Sequence, residues 1–153
     1  MSALNERPLA DDGLCFACGR HNPQGLGMPV RLEEEQARCL FSLAPHFQGW
    51  AGIAHGGIVC TILDEIMAHA VIRYIGQGVT TSMETTFRQP VPLGQEIKAL
   101  GWVVLHRGRL AESAGEIRLA ADDSLLAQAK ARWLIKLDAQ GQPIPRFGQP
   151  SAG

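Results

Sequence analysis

No run of apolar residues in this chain approaches the roughly 18 needed to cross a membrane. The first residues carry neither the basic nor the apolar region of a secretory signal, so a cytoplasmic location is expected. A charge excess is missing as well: 14 Lys and Arg stand against 15 Asp and Glu, a formal net charge of −1. That balance gives no reason to expect nucleic acid or a membrane surface as a partner. Cysteine is sparse, with only Cys15, Cys18, Cys39 and Cys60. One pair is closely spaced and Cys60 falls inside an apolar segment, so free thiols are expected and a disulfide scaffold is not. No internal repeat is evident. With 153 residues, the chain suits one domain with one core.

What the chain does have is concentrated between Trp50 and Asp64. His55-Gly56-Gly57 opens an apolar segment without Pro that runs to about Tyr74, the signature of a long buried helix. Glycine allows a sharp turn and the close approach of another molecule. The first N–H groups of a helix lack intrahelical partners and can receive developing negative charge. Asp64 lies seven residues past Gly57, two helical turns or about 10 Å along the axis. It falls off the stripe Glu65, His69 and Arg73, which is spaced i, i+4, i+8 and expected to reach solvent. A carboxylate among small apolar neighbours needs a partner, a cavity or a raised pKa. Oxyanion donors with an acid/base group nearby suit acyl transfer. For Asp64 alone an ordinary helix carboxylate is the plainer account, but with His55-Gly56-Gly57 at this distance the acid/base role is favoured.

Cys15-Phe16-Ala17-Cys18 with His21 invites a metal, but structural zinc wants four ligands, usually as two spaced pairs. The second pair is missing, and no metal is expected. Gly19, Asn22-Pro23 and Gly25 mark this stretch as a turn-rich loop, packing Leu14, Cys15 and Phe16 against the body of the domain.

Strands are expected over 28–34, 36–43, 79–89, 96–106, 110–120 and 125–137, with turns at Glu35, Arg107-Gly108-Arg109 and Asp122-Asp123. The order is two strands, a helix and four strands in meander order, an α+β chain with an antiparallel sheet. Residues 1–27 read as a lead-in, 28–137 as the domain, and 138–153, rich in Pro, Gly and Gln, as a mobile tail.

A helix opened by His55-Gly56-Gly57 with Asp64 seven residues on resembles the hotdog-fold acyl-CoA thioesterases, in their PaaI-like, phenylacetate-pathway branch. Cys15-x-x-Cys18-Gly19, Asn22-Pro23-x-Gly25-Leu26, Phe47-Gln48-Gly49 and Arg88-x-Pro90-Val91-Pro92 fit the same resemblance, which covers nearly the whole chain. It implies one long central helix wrapped by a curved antiparallel sheet of five to six strands. It also implies hydrolysis of an acyl-CoA to free acid and CoA, with no cofactor, since coenzyme A is part of the substrate. The active sites would lie between the subunits of a homodimer or homotetramer.

The resemblance further implies roles. The Gly57 amide would hold the thioester oxygen beside Gly56, and His55 would shape that end of the pocket or simply cap the helix. Asp64 would act as general base or nucleophile. Thr81 would hydrogen-bond it, with Thr80 or Ser82 in its place if the register is one off. Gln48 stands near where some relatives carry Asn. Arg88, Arg107 and Arg109 are candidates for the coenzyme A phosphates, or merely exposed. Two other functions compete: a non-catalytic acyl-CoA sensor, and a hydroxyacyl dehydratase echoed by His46-Phe47-x-Gly49. The dehydratases carry their helix carboxylate earlier and lack His-Gly-Gly.

Overall fold

The structure, a computed structural model, describes residues 9–145. Its elements are β1 (Arg31–Glu33), β2 (Gln36–Ser42), a short 3-10 turn (Pro45–Phe47), α1 (Gly56–Tyr74), β3 (Gly78–Phe87), β4 (Glu96–Arg107), β5 (Leu110–Leu119) and β6 (Leu125–Ile135). Six antiparallel strands in the order β1-β2-β4-β5-β6-β3 form one sheet against which α1 lies.

Side chains alternate across a strand, so each strand offers one face to the helix. On β6 that face is Ala127, Ala129, Ala131, Trp133 and Ile135; on β5 it is Ala111, Ser113, Gly115 and Ile117. These mostly small residues let α1 sit close. Gly101 pairs with Gly115 directly beneath it, and a Cβ on Gly101 would stand 2.5 Å from the Ile66 carbonyl oxygen. From above, α1 buries Val59, Ile62, Leu63, Ile66, Met67, Ala70 and Val71. The one large polar inclusion in this layer is satisfied, because the Trp133 indole N–H donates to Ser113 Oγ at 2.8 Å.

The meander holds only for β4, β5 and β6. β3 does not neighbour β4; it pairs with β6 at the far edge of the sheet. Residues 88–94 then carry the chain back across, with the Ala54 amide bonded to the Val91 carbonyl and the Leu93 amide to the Gly52 carbonyl. An alternating pattern tells which face a strand buries, not which strand lies beside it. β1 is shorter than expected, because the Met28 amide is taken by the Ala17 carbonyl and Glu34 turns with φ 48°.

The lead-in loop is held by Gly19 to Cys15, His21 to Gly13 and Leu26 to Phe16 backbone bonds. Its buried anchor is Ala17, with Cys15 and Cys18 packed against the core. Leu14 and Phe16 are exposed instead of packed, Phe16 keeping only an edge-on contact with Phe47. Residues 138–145, expected within a mobile tail, are hydrogen-bonded to the body; 1–8 and 146–153 lie outside the described residues. Buried Gln77 ties both ends: its side chain accepts from the Leu9 amide and donates to the Pro145 carbonyl, and its backbone N–H donates to Ile144.

Candidate active site

His55 is the N-cap of α1, extended just before the helix begins. Its Nδ1 accepts the Gly57 amide at 2.9 Å. The amide expected to meet a thioester oxygen is therefore engaged within the chain by the neighbouring imidazole. Gly49 makes this possible, since its missing side chain leaves the backbone 3.0 Å from His55 Cα at the Cβ position. His55, Gly56 and Gly57 are all exposed. His55 and Gly57 line an open cleft of about 540 Å³ with Gln48, His46, Phe47 and Thr61. The Gln48 side chain is used locally, accepting from the Gly52 amide at 2.9 Å and bracing the turn that leads into the helix.

Asp64 is half-buried on α1 and faces β3. Its Oδ1 accepts from Thr80 Oγ1 at 2.7 Å. Burial pushes its pKa up and the nearby Glu65 charge adds to this, while the Thr80 hydrogen bond opposes them. The net shift is upward, so the carboxylate holds a proton more readily than an exposed one.

Thr80 holds this place instead of Thr81, because the register slips between Thr80 and Ser82. Thr80 pairs with Trp133 and Ser82 with Arg132, leaving Thr81 as the extra residue of a bulge. Thr81 turns its hydroxyl to the Arg132 carbonyl, 3.2 Å away. Ser82 lines a separate groove with Met83, Val104 and Glu112.

The arginines are dispersed. Arg88 follows Phe87, whose ring lies 3.8 Å from the Cβ position of Gly56, so it belongs to the helix-mouth end of the sheet. Arg107 and Arg109 flank Gly108 (φ 53°) on the β4–β5 hairpin. Leu110 pairs with Leu134 and Leu134 with Val79, placing the hairpin at the opposite end, where α1 finishes. One chain thus gathers Asp64 with Thr80, and separately His55 with Gly57 and Gln48.

A second cluster was not foreseen. Glu65 and His69 are largely covered instead of open to solvent; under the lead-in loop their side chains keep 16% and 12% exposure. Cys15 Sγ lies 3.6 Å from Glu65 Oε1, and His69 Nε2 lies 3.1 Å from the same oxygen. Burial, then the hydrogen bond and charge of Glu65, push the Cys18 thiol well above its usual range. The i, i+4 stripe and the Cys-x-x-Cys pair were each visible in the sequence; their juxtaposition was not.

The family model described as Thioesterase superfamily matches residues 51–125, a span that holds His55, Gly56, Gly57, Asp64 and Thr80. Residues 51–125 belong to the thioesterase superfamily. Among relatives of this chain, acyl-coenzyme A thioesterase THEM4 of Xenopus laevis is 29% identical over 104 residues, 68% of this chain and 46% of that protein. The mouse protein of the same name is 28% identical over 121 residues, 76% of this chain and 52% of its own length. The chain spans about half the length of the curated relatives it matches. Among solved structures, zebrafish thioesterase superfamily member 2 superposes with TM-score 0.62 at 22% identity, covering 67% of this chain and 77% of that one. A Streptococcus mutans protein crystallised with acetyl-CoA gives 0.64 at 18%, covering 69% and 84%. At these identities the likeness establishes the fold, one helix against a six-stranded antiparallel sheet, the hotdog arrangement.

Proposed function

We propose that this chain hydrolyses an acyl-CoA thioester to the free acid and coenzyme A, with Asp64 as the group that acts on water or on the thioester carbon. The observation that carries the reading is the Asp64–Thr80 pair: a half-buried carboxylate with raised proton affinity, oriented by one hydroxyl beside the open edge strand β3. The names of the curated relatives and the fold support the same chemistry.

In this reading water gives its proton to Asp64 and adds to the thioester carbon; the adduct then breaks its C–S bond and coenzyme A leaves as the thiol, taking that proton. Alternatively Asp64 adds directly and expels the coenzyme A thiolate, which takes a proton from solvent, and water then cleaves the anhydride. The oxyanion is received at the N-terminus of α1, by Gly56 and by Gly57 once the substrate oxygen competes with His55 Nδ1 for its N–H. Asp64 stands about 10 Å further along the helix and outside the cleft at its mouth, so the two halves are best joined across two subunits. The exposed edge of β3, with Val79 and Phe87 uncovered, is the surface on which a second copy pairs. Arg88 would meet coenzyme A phosphate from the helix-mouth end and Arg107 and Arg109 from the other. The four free cysteines fit a reducing compartment such as the cytoplasm.

A panel of acyl-CoA substrates assayed for thiol release tests this reading. Asp64→Asn should lower kcat by about 10²–10⁴-fold with the fold intact, as expected when a general base is lost. Activity within threefold of wild type would make Asp64 structural. The cap on Gly57 favours one alternative, an acyl-CoA binder without turnover. Tight binding of acyl-CoA by the wild-type protein with no thiol released would establish that instead.

A further inference from the structure

We propose that Cys15, Cys18 and Glu65 form a binding site for one zinc-type divalent cation, which fastens the lead-in loop to α1. One ligand atom from each of the three side chains lies within 4.8 Å of the other two. Thiolate sulfur at about 2.3 Å and carboxylate oxygen at about 2.0–2.2 Å from zinc span a tetrahedral edge of about 3.6 Å. The Cys15 Sγ to Glu65 Oε1 separation is 3.6 Å.

Two sulfurs and one carboxylate oxygen are a donor set that suits zinc and disfavours calcium or magnesium. The ligands come from two elements that the chain brings together over 50 residues. Cys15 and Cys18 sit on a loop whose turn is closed by the Gly19 to Cys15 bond, and Glu65 sits on the rigid central helix. His69, one turn on, holds the ligating carboxylate through its Nε2 at 3.1 Å. That is the arrangement by which an outer group orients a metal ligand. Cys15, Cys18 and Glu65 all line one cavity of about 520 Å³ between loop and helix, together with Asp11, Asp12 and His69.

As the cation binds, the two thiols release their protons to solvent and ligate as thiolates. The competing account is a purely hydrogen-bonded cluster. The site is spatially separate from the proposed catalytic pair, since Asp64 faces β3 and none of the three ligands lines the cleft at the helix mouth.

The test uses the full chain, reduced and stripped of metal, titrated with Co²⁺ and then Zn²⁺. We expect one equivalent bound per chain, a thiolate-to-cobalt charge-transfer absorption, and its disappearance on displacement by zinc. Cys15→Ser with Cys18→Ser should abolish the band, Glu65→Gln should weaken binding at least tenfold, and His69→Ala about 10–100-fold. Cys39→Ser and Cys60→Ser should leave it unchanged. If the double cysteine variant misfolds by circular dichroism, the Glu65→Gln affinity decides. Binding below a tenth of an equivalent, a charge-transfer band that survives loss of Cys15 and Cys18, or a Glu65→Gln affinity equal to wild type overturns the proposal. So does a Cys15–Cys18 disulfide as the resident form in protein isolated from a reducing cytosol.

Discussion

Thr80 and Thr81 are adjacent, chemically identical and both exposed, yet the structure gives them different work. Thr80→Val removes the hydroxyl that donates to Asp64 Oδ1 at 2.7 Å and replaces it with a methyl of nearly the same shape. A hydrogen bond to a charged acceptor contributes about 1.5–3 kcal/mol. Exposure of Thr80 argues for the lower end, about 1.5 kcal/mol, which corresponds to roughly tenfold in rate. Thr81→Val loses only a 3.2 Å bond to a backbone carbonyl at a bulge and leaves Asp64 untouched. The assay is kcat/KM for the best acyl-CoA found in the panel, on both variants and on Thr80→Ser, with urea unfolding run in parallel. Thr80→Val should fall about tenfold, Thr80→Ser should recover most of that, and Thr81→Val should stay within about twofold. A larger loss at Thr81 than at Thr80, or no recovery with Ser, would refute the assignment of the bulge and of the hydroxyl that orients Asp64.

Gly101→Ala places a methyl about 2.5 Å from the Ile66 carbonyl, so overpacking should lower stability by about 1–3 kcal/mol in urea unfolding; an unchanged midpoint would show that the helix and sheet part without cost. Gln77→Ala removes a buried side chain bonded to both Leu9 and Pro145, and should cost about 1–2 kcal/mol while hastening proteolytic trimming at both ends, with unaltered trimming as the contrary result. Replacing Arg107 and Arg109 together by Gln should raise KM for acyl-CoA about tenfold yet spare kcat on a short thioester lacking the phosphates. Equal losses on both substrates would show that the hairpin arginines serve the fold. Light scattering should find at least a dimer at micromolar concentration, and a fully active monomer would remove the shared site.

Much of this molecule is written locally in its sequence. The Pro-free apolar run from Gly57 to Tyr74 specifies a helix buried on most sides, because a 3.6-residue period with few polar positions leaves only a narrow polar stripe. Alternation specifies the strands, and Gly108 the hairpin, because those patterns act over a few residues. The spacing from His55-Gly56-Gly57 to Asp64 is likewise a property of one helix. Tertiary structure alone decided the rest. It carried β3 to the far edge beside β6, since burial pattern carries no information about neighbours. It set Thr80 on Asp64 by a one-residue bulge, which shifts every following side chain between faces. And it laid a Cys-x-x-Cys loop over Glu65 and His69, a meeting across 50 residues that no local period encodes, because it depends on packing the lead-in against a helix formed elsewhere.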